Sequence, residues 1–408
     1  MNAPDGLLSN PAFRKVWLAG LCGGVVRWFE IVVIGIYVFQ VTQSAFQASL
    51  IAMLRILPFA PAGPLLGMLA ERFGLRRTYL ALVGLMFAAS LAQMLLAIAG
   101  WIEVWHLAVG ALLAGVYWAA ELPLRRTLLG STVPPERLVP AMALDTTTNN
   151  LTKMMGPLLG GIVLQLVGLA GTFGFAVLMQ AITFTLVRQI DASKRAPRRH
   201  AGFLRNLREG LAMARHNPIV LLAFGHSLVF NLFGFPGTSM IPVIGEDRLE
   251  LSAAMIGLLT AAEGIGAAVG SLLVVRFGVR IRYHCRFFAF GILFFLLMMA
   301  AFSLATSAAL AGTALLGAGL GMACFSTMQS TLVLMSSPEA ARSRLMGVLS
   351  VFIGAGPLGF LLLGWTAEHL GAPWALRLMV IEGLIAWAAV CWWLRDVITR
   401  PTSDHLAR

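Results

Sequence analysis

Long apolar runs separated by short polar segments follow one another along the whole chain. Twelve runs approach or exceed the length of about 20 residues that a helix needs to cross the hydrocarbon core of a bilayer. In lipid the backbone must satisfy its own hydrogen bonds, so such runs favour helices. The pattern predicts an all-α membrane protein with twelve transmembrane helices, at 13–41, 47–70, 77–99, 103–126, 140–167, 171–190, 218–243, 252–275, 284–304, 307–335, 343–367 and 373–395.

Basic residues collect in every second segment between these predicted spans. The remaining segments are almost free of Lys and Arg, with Arg248 and Arg377 as the exceptions. Because positively charged loops stay on the cytoplasmic side, we expect an integral protein of the bacterial inner (plasma) membrane with both termini in the cytoplasm. The residues that carry this prediction are Arg72, Arg76, Arg77, Arg125, Arg126, Arg137, Arg276, Arg280, Arg282, Arg286, Arg342 and Arg344.

Two short patterns recur about half a chain apart. Arg72-Phe73-Gly74-Leu75-Arg76 returns 204 positions later as Arg276-Phe277-Gly278-Val279-Arg280. Gly156-Pro157-Leu158 returns 200 positions later as Gly356-Pro357-Leu358. Internal repeats in an apolar chain are typical of transporters whose site lies between two bundles. The sequence therefore predicts two pseudo-symmetric six-helix bundles.

The predicted boundary between the bundles is a basic, polar stretch. We assign 1–190 to the N-terminal bundle, 191–217 to a cytoplasmic linker and 218–408 to the C-terminal bundle. Within the linker, 203–216 has the apolar and basic faces of an amphipathic helix, which predicts a helix on the membrane surface near anionic lipid. A helix that binds a partner protein is the alternative for this stretch.

Composition excludes several classes of protein. Hydrophobic residues make up 59% of the chain and charged residues 12%, whereas soluble domains carry about 25% charge. The net charge of +12 is spread over loops, without a face that could follow the phosphates of a nucleic acid. The four cysteines have no metal-ligand spacing, and there is no phosphate-binding loop for ATP. We expect no enzyme activity, cofactor or metal, and a monomer.

The segment after span two resembles the signature loop of the major facilitator superfamily. It contains Gly67, Glu71, Arg72, Gly74, Arg76 and Arg77 at the spacing Gly-x-x-x-Glu-Arg-x-Gly-Leu-Arg-Arg. It departs from the family pattern by Glu for Asp and by Leu75 where a basic residue is usual. The resemblance implies that Glu71 caps a neighbouring helix and that this loop gates the cytoplasmic face. The second copy of the loop has Val275 in place of the acid.

A second resemblance lies in span five. Gly156-Pro157-x-x-Gly160-Gly161 is similar to the second half of the family's antiporter signature, whose upstream glycines are replaced here by Thr148 and Thr152. The arginine usual in helix four of proton-coupled members has no counterpart between His106 and Gly115. Together with Pro134-Pro-Glu-Arg137 and the long midpoint, the chain looks most like the drug and siderophore exporters. The resemblance implies gating roles for Gly156 and Pro157.

Charged residues inside the spans are candidates for function, because a charge in the membrane is costly. Arg27 and Glu30 share one face of span one. Their structural interpretation is a pair that neutralises itself and fixes span one to a neighbouring helix. The functional one is proton binding by Glu30 with Arg27 modulating its proton affinity, and both can hold together. Trp28 and Phe29 beside them could stack on a ligand.

Other polar residues in the spans extend the candidate site. Glu121 in span four and Lys153 in span five could form an ion pair, and Glu263 in span eight is a second candidate proton carrier. Arg55 in span two could bind an anionic group. Further candidates are Asn149, Asn231 and Phe233, the last of which lies 204 positions after Phe29, whereas His226 is predicted to be a hydrogen-bonded core residue.

These observations predict a secondary transporter that exports an amphipathic organic molecule by proton antiport through alternating access. Glu30, Glu263 and Glu121 are the candidate proton carriers, and the partners are a small-molecule substrate, protons and membrane lipid. One alternative is an uptake carrier or facilitator for an anionic metabolite or lysolipid. An alternative of another class is a membrane sensor or assembly module that does not transport.

Overall fold

The computed structural model describes residues 7–59, 69–70, 72–134, 137–190, 203–277, 281–399 and 401. Within these residues, ten helices are long and apolar enough to cross a membrane, which confirms the prediction of an all-α membrane protein. The count of twelve spans stays a prediction. The helices are α1 (Pro11–Thr42), α2 (Ala45–Ile56), α3 (Leu75–Ile98), α4 (Val104–Ser131), α5 (Leu138–Arg188), α6 (Phe203–Ala214), α7 (Pro218–Val229), α8 (Met240–Asp247), α9 (Ala253–Phe277), α10 (His284–Leu304), α11 (Ala308–Met335), α12 (Glu339–Ile353), α13 (Gly356–Leu370), α14 (Ala372–Trp393) and α15 (Arg395–Thr399).

The longest helix, α5, contains a break at Gly168. This glycine has φ 66° and ψ −172°, a left-handed conformation that residues with a Cβ rarely adopt. An unbroken helix of this length would be roughly 75 Å long, more than twice the hydrocarbon thickness of about 30 Å. The break lies between the predicted spans 140–167 and 171–190, and it explains why two predicted spans fall within one helix.

Two other predicted spans are interrupted. The predicted span 218–243 is divided into α7, a π turn at Phe230–Gly234, a 3-10 turn at Phe235–Ser239 and the start of α8. Pro236 opens the 3-10 turn, where it removes a backbone donor that a continuous α-helix would need. The predicted span 343–367 is divided into α12 and α13 around Gly354 and Ala355.

The chain packs into two compact units. The first comprises Met1–Tyr37, Leu54–Arg198 and Ala253–Gly257. The second comprises Val38–Met53, Arg199–Ser252 and Leu258–Arg408. The division into 1–190, 191–217 and 218–408 stays a prediction.

Each unit contains the same asparagine cap. In the first, Asn10 precedes Pro11 at the start of α1, its Oδ1 accepts from the amides of Ala12 and Phe13, and its Nδ2 donates to the Thr132 carbonyl at 2.8 Å. In the second, Asn217 precedes Pro218 at the start of α7, its Oδ1 accepts from the amides of Ile219 and Val220, and its Nδ2 donates to the Ser336 carbonyl at 2.6 Å. Thr132 and Ser336 cap the C-termini of α4 and α11. Asparagine thus fixes two helix ends with one side chain in both units.

Two arginines that depart from the predicted charge pattern share one acceptor in the second unit. Arg248 and Arg377 both donate to the backbone carbonyl of Ser303, at 2.6 and 3.2 Å, and Arg377 also donates to its Oγ at 3.3 Å. Ser303 lies in the last turn of α10, where carbonyls lack helical partners and cations are favoured by the helix dipole. These arginines therefore stabilise the end of a helix.

The predicted amphipathic helix is present as α6 and packs on α12. Its Gly210 lies so close to Val348 and to the Arg344 carbonyl that a Cβ there would come within 2.5 Å and 3.2 Å of them. Glu209 pairs with Arg344 at 3.3 Å on a half-exposed surface. Leu211 and Met213 on the same helix remain exposed. The helix is thus held by protein on one face, and its predicted contact with lipid stays a prediction.

Candidate functional site

The two predicted charges of α1 bind different neighbouring helices of the first unit. Arg27 donates to Glu121 of α4. Glu30 pairs with Arg55 of α2, with 3.5 Å between Oε2 and Nη2. The prediction that Arg27 and Glu30 neutralise each other is therefore wrong, because each pairs with another helix. The prediction that they fix this helix to its neighbours is confirmed. All four side chains are buried.

The ion pairs continue through two residues that the sequence did not single out as site residues. Arg125 of α4 donates to Glu121 and also to Asp145 of α5. Asp145 in turn accepts from the Nε of Arg126 at 3.1 Å. Arg125 was predicted to flank a cytoplasmic loop, but α4 extends to Ser131 and Arg125 is only 3% exposed. The longer helix places this arginine inside the bundle.

Together these side chains form two sets of ion pairs that meet at α1, and we call both sets together the charge chain. One set runs from Arg126 through Asp145, Arg125 and Glu121 to Arg27, and the other is the pair of Arg55 and Glu30. Three arginines and three carboxylates in the charge chain are buried, so their formal charges cancel when all are ionised. The Arg126 side chain is 43% exposed. Burial of an unpaired charge costs several kcal/mol, whereas a partner offsets much of that cost. The members are Arg126, Asp145, Arg125, Glu121, Arg27, Arg55 and Glu30.

Arg55 connects the two sets of ion pairs through the backbone of α1. Its Nη1 donates to the backbone carbonyl of Arg27 at 3.4 Å while its Nη2 faces Glu30. The helix that carries it lies close to α4, because the Arg55 carbonyl contacts Gly115 where any side chain would collide. The α2 helix ends at Ile56, two residues before Pro58, whose ring and missing N–H oppose a continued α-helix.

Glycines of the predicted antiporter-like segment bring α5 against α1. A Cβ at Gly156 would come within 2.6 Å of the Trp28 Cβ, and one at Gly160 within 2.9 Å of the Phe29 carbonyl. On another side, Gly161 contacts Ala253, and the Pro157 carbonyl would lie 2.5 Å from a Cβ at Gly257. All of these residues belong to the first unit. The glycines of this segment therefore allow close helix packing in the first unit. The gating role predicted for Gly156 and Pro157 stays a prediction.

The predicted substrate-binding residues of the first unit lie beside the charge chain. Lys153 of α5 places its Nζ 5.4 Å from the centroid of the Trp28 ring. Phe29 is buried and packs on Phe175 with ring centroids 4.8 Å apart, so it is a core residue in this structure. Asn149 is half-buried, and its backbone carbonyl accepts from Thr152 at 2.9 Å.

Two of the three predicted site residues of the second unit lie in its irregular turn, and the third, Glu263, lies in α9. Asn231 and Phe233 lie in the π turn, a rare element often found at functional sites. Asn231 Nδ2 donates to the Ser227 carbonyl at 2.8 Å, and Phe233 lies against Gly383, where a Cβ would approach it to 2.9 Å. Glu263 is buried in α9. His226 is buried and bonded to the Leu222 carbonyl at 3.2 Å, which confirms the prediction of a core histidine.

The structure describes part of the loop that is predicted to gate the cytoplasmic face. Gly74 has φ 88°, so a glycine suits this turn into α3. Arg76 donates to the carbonyl of Arg188 at the end of α5, and Arg72 lies over the ring of Phe73 at 5.3 Å. Arg77 is exposed. Gly67 and Glu71 lie outside the described residues, so the predicted cap by Glu71 stays a prediction.

Comparison with known proteins shows which proteins the chain is similar to. Residues 3–399 match the family described as transmembrane secretion effector. The chain is 26% identical over 375 residues to an enterobactin exporter of Escherichia coli O1:K1, covering 86% of each chain. It is 22% identical over 272 residues to macrolide efflux protein A of Streptococcus pyogenes, a match that covers 65% of this chain and 66% of that protein.

Solved structures show the same fold at low sequence identity. A bacterial homologue of the human lysosomal transporter Spinster, in an inward-facing and unoccupied conformation, superposes with a TM-score of 0.71 and 16% identity, over 95% of this chain and 98% of that one. A POT family transporter in complex with a thioalcohol-conjugated peptide gives a TM-score of 0.77 and 12% identity, over 95% and 96% of the two chains.

Proposed function

The chain belongs to the transmembrane secretion effector family of major facilitator transporters, and we propose that it exports an amphipathic organic molecule by proton antiport. Its relatives include proteins named for efflux of macrolides and for export of enterobactin. The proposal includes the class of the transported compound. It also includes a location in the bacterial inner membrane with cytoplasmic termini, a monomeric state and contact with lipid.

The observation that carries the proposal is the pairing of Glu30. Glu121 is bound by two arginines and Asp145 by two, whereas Glu30 has Arg55 as its one ion partner among the described residues. Protonation of Glu30 would give up one ion pair at 3.5 Å, and protonation of Glu121 would give up two closer ones. Glu30 is therefore the favoured proton carrier, ahead of Glu121. Glu263, buried in the second unit, remains a further candidate.

Protonation would act as a switch because the buried charges are balanced. A proton on Glu30 leaves Arg55 positive and unpaired in a buried position, which is costly. A helix arrangement that gives Arg55 water or another partner then becomes more stable, and the population shifts toward it. In this scheme the substrate leaves with Glu30 ionised and paired, and the carrier returns with Glu30 protonated.

The substrate would bind beside this switch. Lys153, Trp28 and Asn149 are half-buried in the first unit and carry this part of the proposal, whereas Asn231 and Phe233, in the π turn of the second unit, stay predictions from the sequence. Gating of the cytoplasmic face by Glu71, Arg72, Arg76 and Arg77 completes the proposal.

A flux measurement tests the proposal. Everted vesicles that contain the protein receive an imposed proton gradient and then a panel of drugs, siderophores, organic acids and lysolipids, while a dye reports internal pH. Export by antiport predicts that at least one compound dissipates the gradient and accumulates inside. Vesicles without the protein provide the control. A failure of every compound to move protons, while a labelled compound still equilibrates, contradicts the antiport proposal.

One observation favours a second candidate function, uptake of an anionic metabolite. Arg55 is the partner of Glu30, and a substrate carboxylate or phosphate could displace Glu30 from it. The released Glu30 would then bind a proton, so the anion and the proton would bind together and move in the same direction. Direction of flux separates the two candidates: uptake carries the compound and protons the same way, and antiport carries them in opposite directions.

A further inference from the structure

Arg248 and Arg377, which depart from the predicted charge pattern, lie side by side in the second unit. Both donate to the Ser303 carbonyl, at 2.6 and 3.2 Å, so the two donor nitrogens are within about 6 Å of each other, where like charges repel. Neither arginine forms an ion pair within the described part of the chain. The end of α10 supplies a negative charge of only about half a unit, so an anion beside the two arginines would lower their repulsion.

The contact with Ser303 occupies only part of each guanidinium group. Arg248 donates through Nη1, and Arg377 through Nε and Nη2, whereas every guanidinium carries further N–H donors. Both residues are half-buried, and their remaining nitrogens are not among the shielded polar atoms of the described residues. Neighbouring guanidinium groups with open N–H donors suit a phosphate, which accepts through several oxygens. The groups that would bind it lie at the protein surface.

Carboxylates lie close to Arg248 along the chain. Asp247 ends α8 and Glu250 follows three residues later, and both are exposed. Glu246 is half-buried and bonds Gln40. Neither Asp247 nor Glu250 forms an ion pair with another described residue. A simple anion is attracted by the arginines and repelled by the carboxylates, whereas a phosphate that carries a nearby ammonium complements both signs of charge.

An exposed apolar face of α14 begins beside Arg377. Trp374, Leu378, Ile381 and Ile385 are exposed, and they recur at intervals of three or four residues, so they share one face of the helix. This face is roughly 16 Å long, which is about half of the hydrocarbon thickness of about 30 Å. The Arg377 guanidinium lies 4.5 Å from the centroid of Trp374, and tryptophan is enriched where membrane meets water. The face therefore has the length of one lipid leaflet and a cation at its polar end.

The neighbouring helix α10 also has an exposed apolar face. The two helices pack antiparallel, because Arg377 contacts Ser303 while Trp387 Nε1 donates to the Ala289 carbonyl at 2.8 Å. The exposed side chains of α10 recur every seven residues and share one face; they are Phe290, Leu297 and Leu304. Both helices that meet at the arginines thus carry apolar surface suited to acyl chains.

We propose that Arg248 and Arg377 bind the phosphate of a phospholipid with a primary ammonium, of the phosphatidylethanolamine type. Its ammonium lies beside Asp247 and Glu250, and its acyl chains lie along α14. The lipid offsets the repulsion between the arginines and holds the chain after α8 against the end of α10. Phosphatidylglycerol lacks the ammonium, and the quaternary ammonium of phosphatidylcholine lacks N–H donors, so both bind more weakly. This site is independent of which compound the protein transports.

Lipid binding to the purified full-length protein tests this site. Native mass spectrometry of delipidated protein in detergent gives a dissociation constant for the dioleoyl form of each of the three lipids. We expect the ethanolamine lipid to bind most tightly. The double change Arg248→Gln and Arg377→Gln should weaken its binding about tenfold or more, because hydrogen bonds between charged groups are lost. Arg286→Gln, at an exposed arginine near the start of α10, is the matched control and should bind like the wild type.

The exposed carboxylates provide a second variant that leaves the contacts with Ser303 in place. The double change Asp247→Asn and Glu250→Gln should remove the preference for the ethanolamine lipid over phosphatidylcholine, and it should tighten binding of phosphatidylglycerol because the repulsion is lost. Arginines that only stabilise a helix end would leave lipid preference unchanged. The site is overturned if the wild type binds the three lipids equally, if the folded arginine variant keeps wild-type affinity, or if the carboxylate variant keeps the wild-type order of affinities.

Discussion

Arg27 binds Glu121, 94 positions later in the chain, and not Glu30, three positions along its own helix. The side chains of Arg27 and Glu121 are 6% and 0% exposed, so the pair ties α1 to α4 inside the first unit. Glu121 also binds Arg125. Glu121 therefore holds two helices together, whereas Glu30 has one ion partner within the described part of the chain.

Removal of the Glu121 charge should destabilise the protein. Glu121→Gln leaves Arg27 and Arg125 buried with one carboxylate fewer, and breaking a buried pair typically costs about 3–5 kcal/mol. Unfolding in mixed micelles measures the free energy of unfolding of the wild type and the variant. Glu209→Gln is the matched control, because its pair with Arg344 is more than one-third exposed on both sides and such pairs contribute about 0–1 kcal/mol. Equal losses in the two variants would contradict a structural role for Glu121.

Glu30 and Arg55 should be energetically coupled. Each single change, Glu30→Gln or Arg55→Gln, leaves a partner in a buried position, whereas the double change removes both charges. We expect the double variant to be less destabilised than the sum of the singles, with a coupling of about 0.5–3 kcal/mol. Unfolding of the wild type, the two single variants and the double variant measures this coupling energy. Additive losses would show that the 3.5 Å approach carries no interaction.

Gly20 should be required for the position of Arg125. A Cβ at Gly20 would lie within 2.7 Å of the Arg125 Nη1 and Cδ, and Arg125 is held by Glu121 and Asp145. Gly20→Ala should therefore cost about 1–3 kcal/mol by overpacking. The control is Gly84→Ala, where the nearest atom, of Phe184, would be 3.8 Å away and helix propensity favours alanine by about 1 kcal/mol. Opposite signs are expected, and equal effects would contradict the packing.

The two asparagine caps should respond alike to substitution. Asn10→Asp and Asn217→Asp keep the Oδ1 acceptor but lose the donor to Thr132 or Ser336, so each should cost about 1–2 kcal/mol. Asn10→Ala and Asn217→Ala lose both functions and should cost more, since a cap alone contributes about 0.5–2 kcal/mol. Unfolding of the four variants compares the halves. A loss in only one half would refute the equivalence of the caps.

Much of the fold follows from the sequence because membrane helices are long and continuous. The apolar runs gave the helices, and the boundary at 167–171 coincides with the left-handed Gly168. The breaks in the predicted spans 218–243 and 343–367 were missed, because short irregular turns inside an apolar run leave its hydropathy unchanged. The repeat of Asn-Pro at 10–11 and 217–218 was also missed, although it was visible in the sequence.

The sequence predicts which residues belong to the candidate site, but not how these residues pair. Arg27, Glu30, Arg55 and Glu121 were recognised because a buried charge is costly, and all four are buried. Their partners depend on which helix faces meet, and spacing along one helix cannot provide that information. Asp145 was overlooked because it lies only five residues inside the predicted span 140–167, where a charge at a membrane surface is ordinary.

The central claim is that Glu30 carries the proton, and one measurement tests it most directly. Everted vesicles with wild type, Glu30→Gln or the exposed control Glu103→Gln receive a proton gradient and a compound that the wild type exports, and a dye reports internal pH. Wild type and Glu103→Gln are expected to release the gradient when the compound is added, and Glu30→Gln is expected to leave it intact because the proposed proton carrier, the carboxylate paired with Arg55, is lost. Substrate-dependent proton movement in Glu30→Gln equal to that of the wild type would contradict the claim.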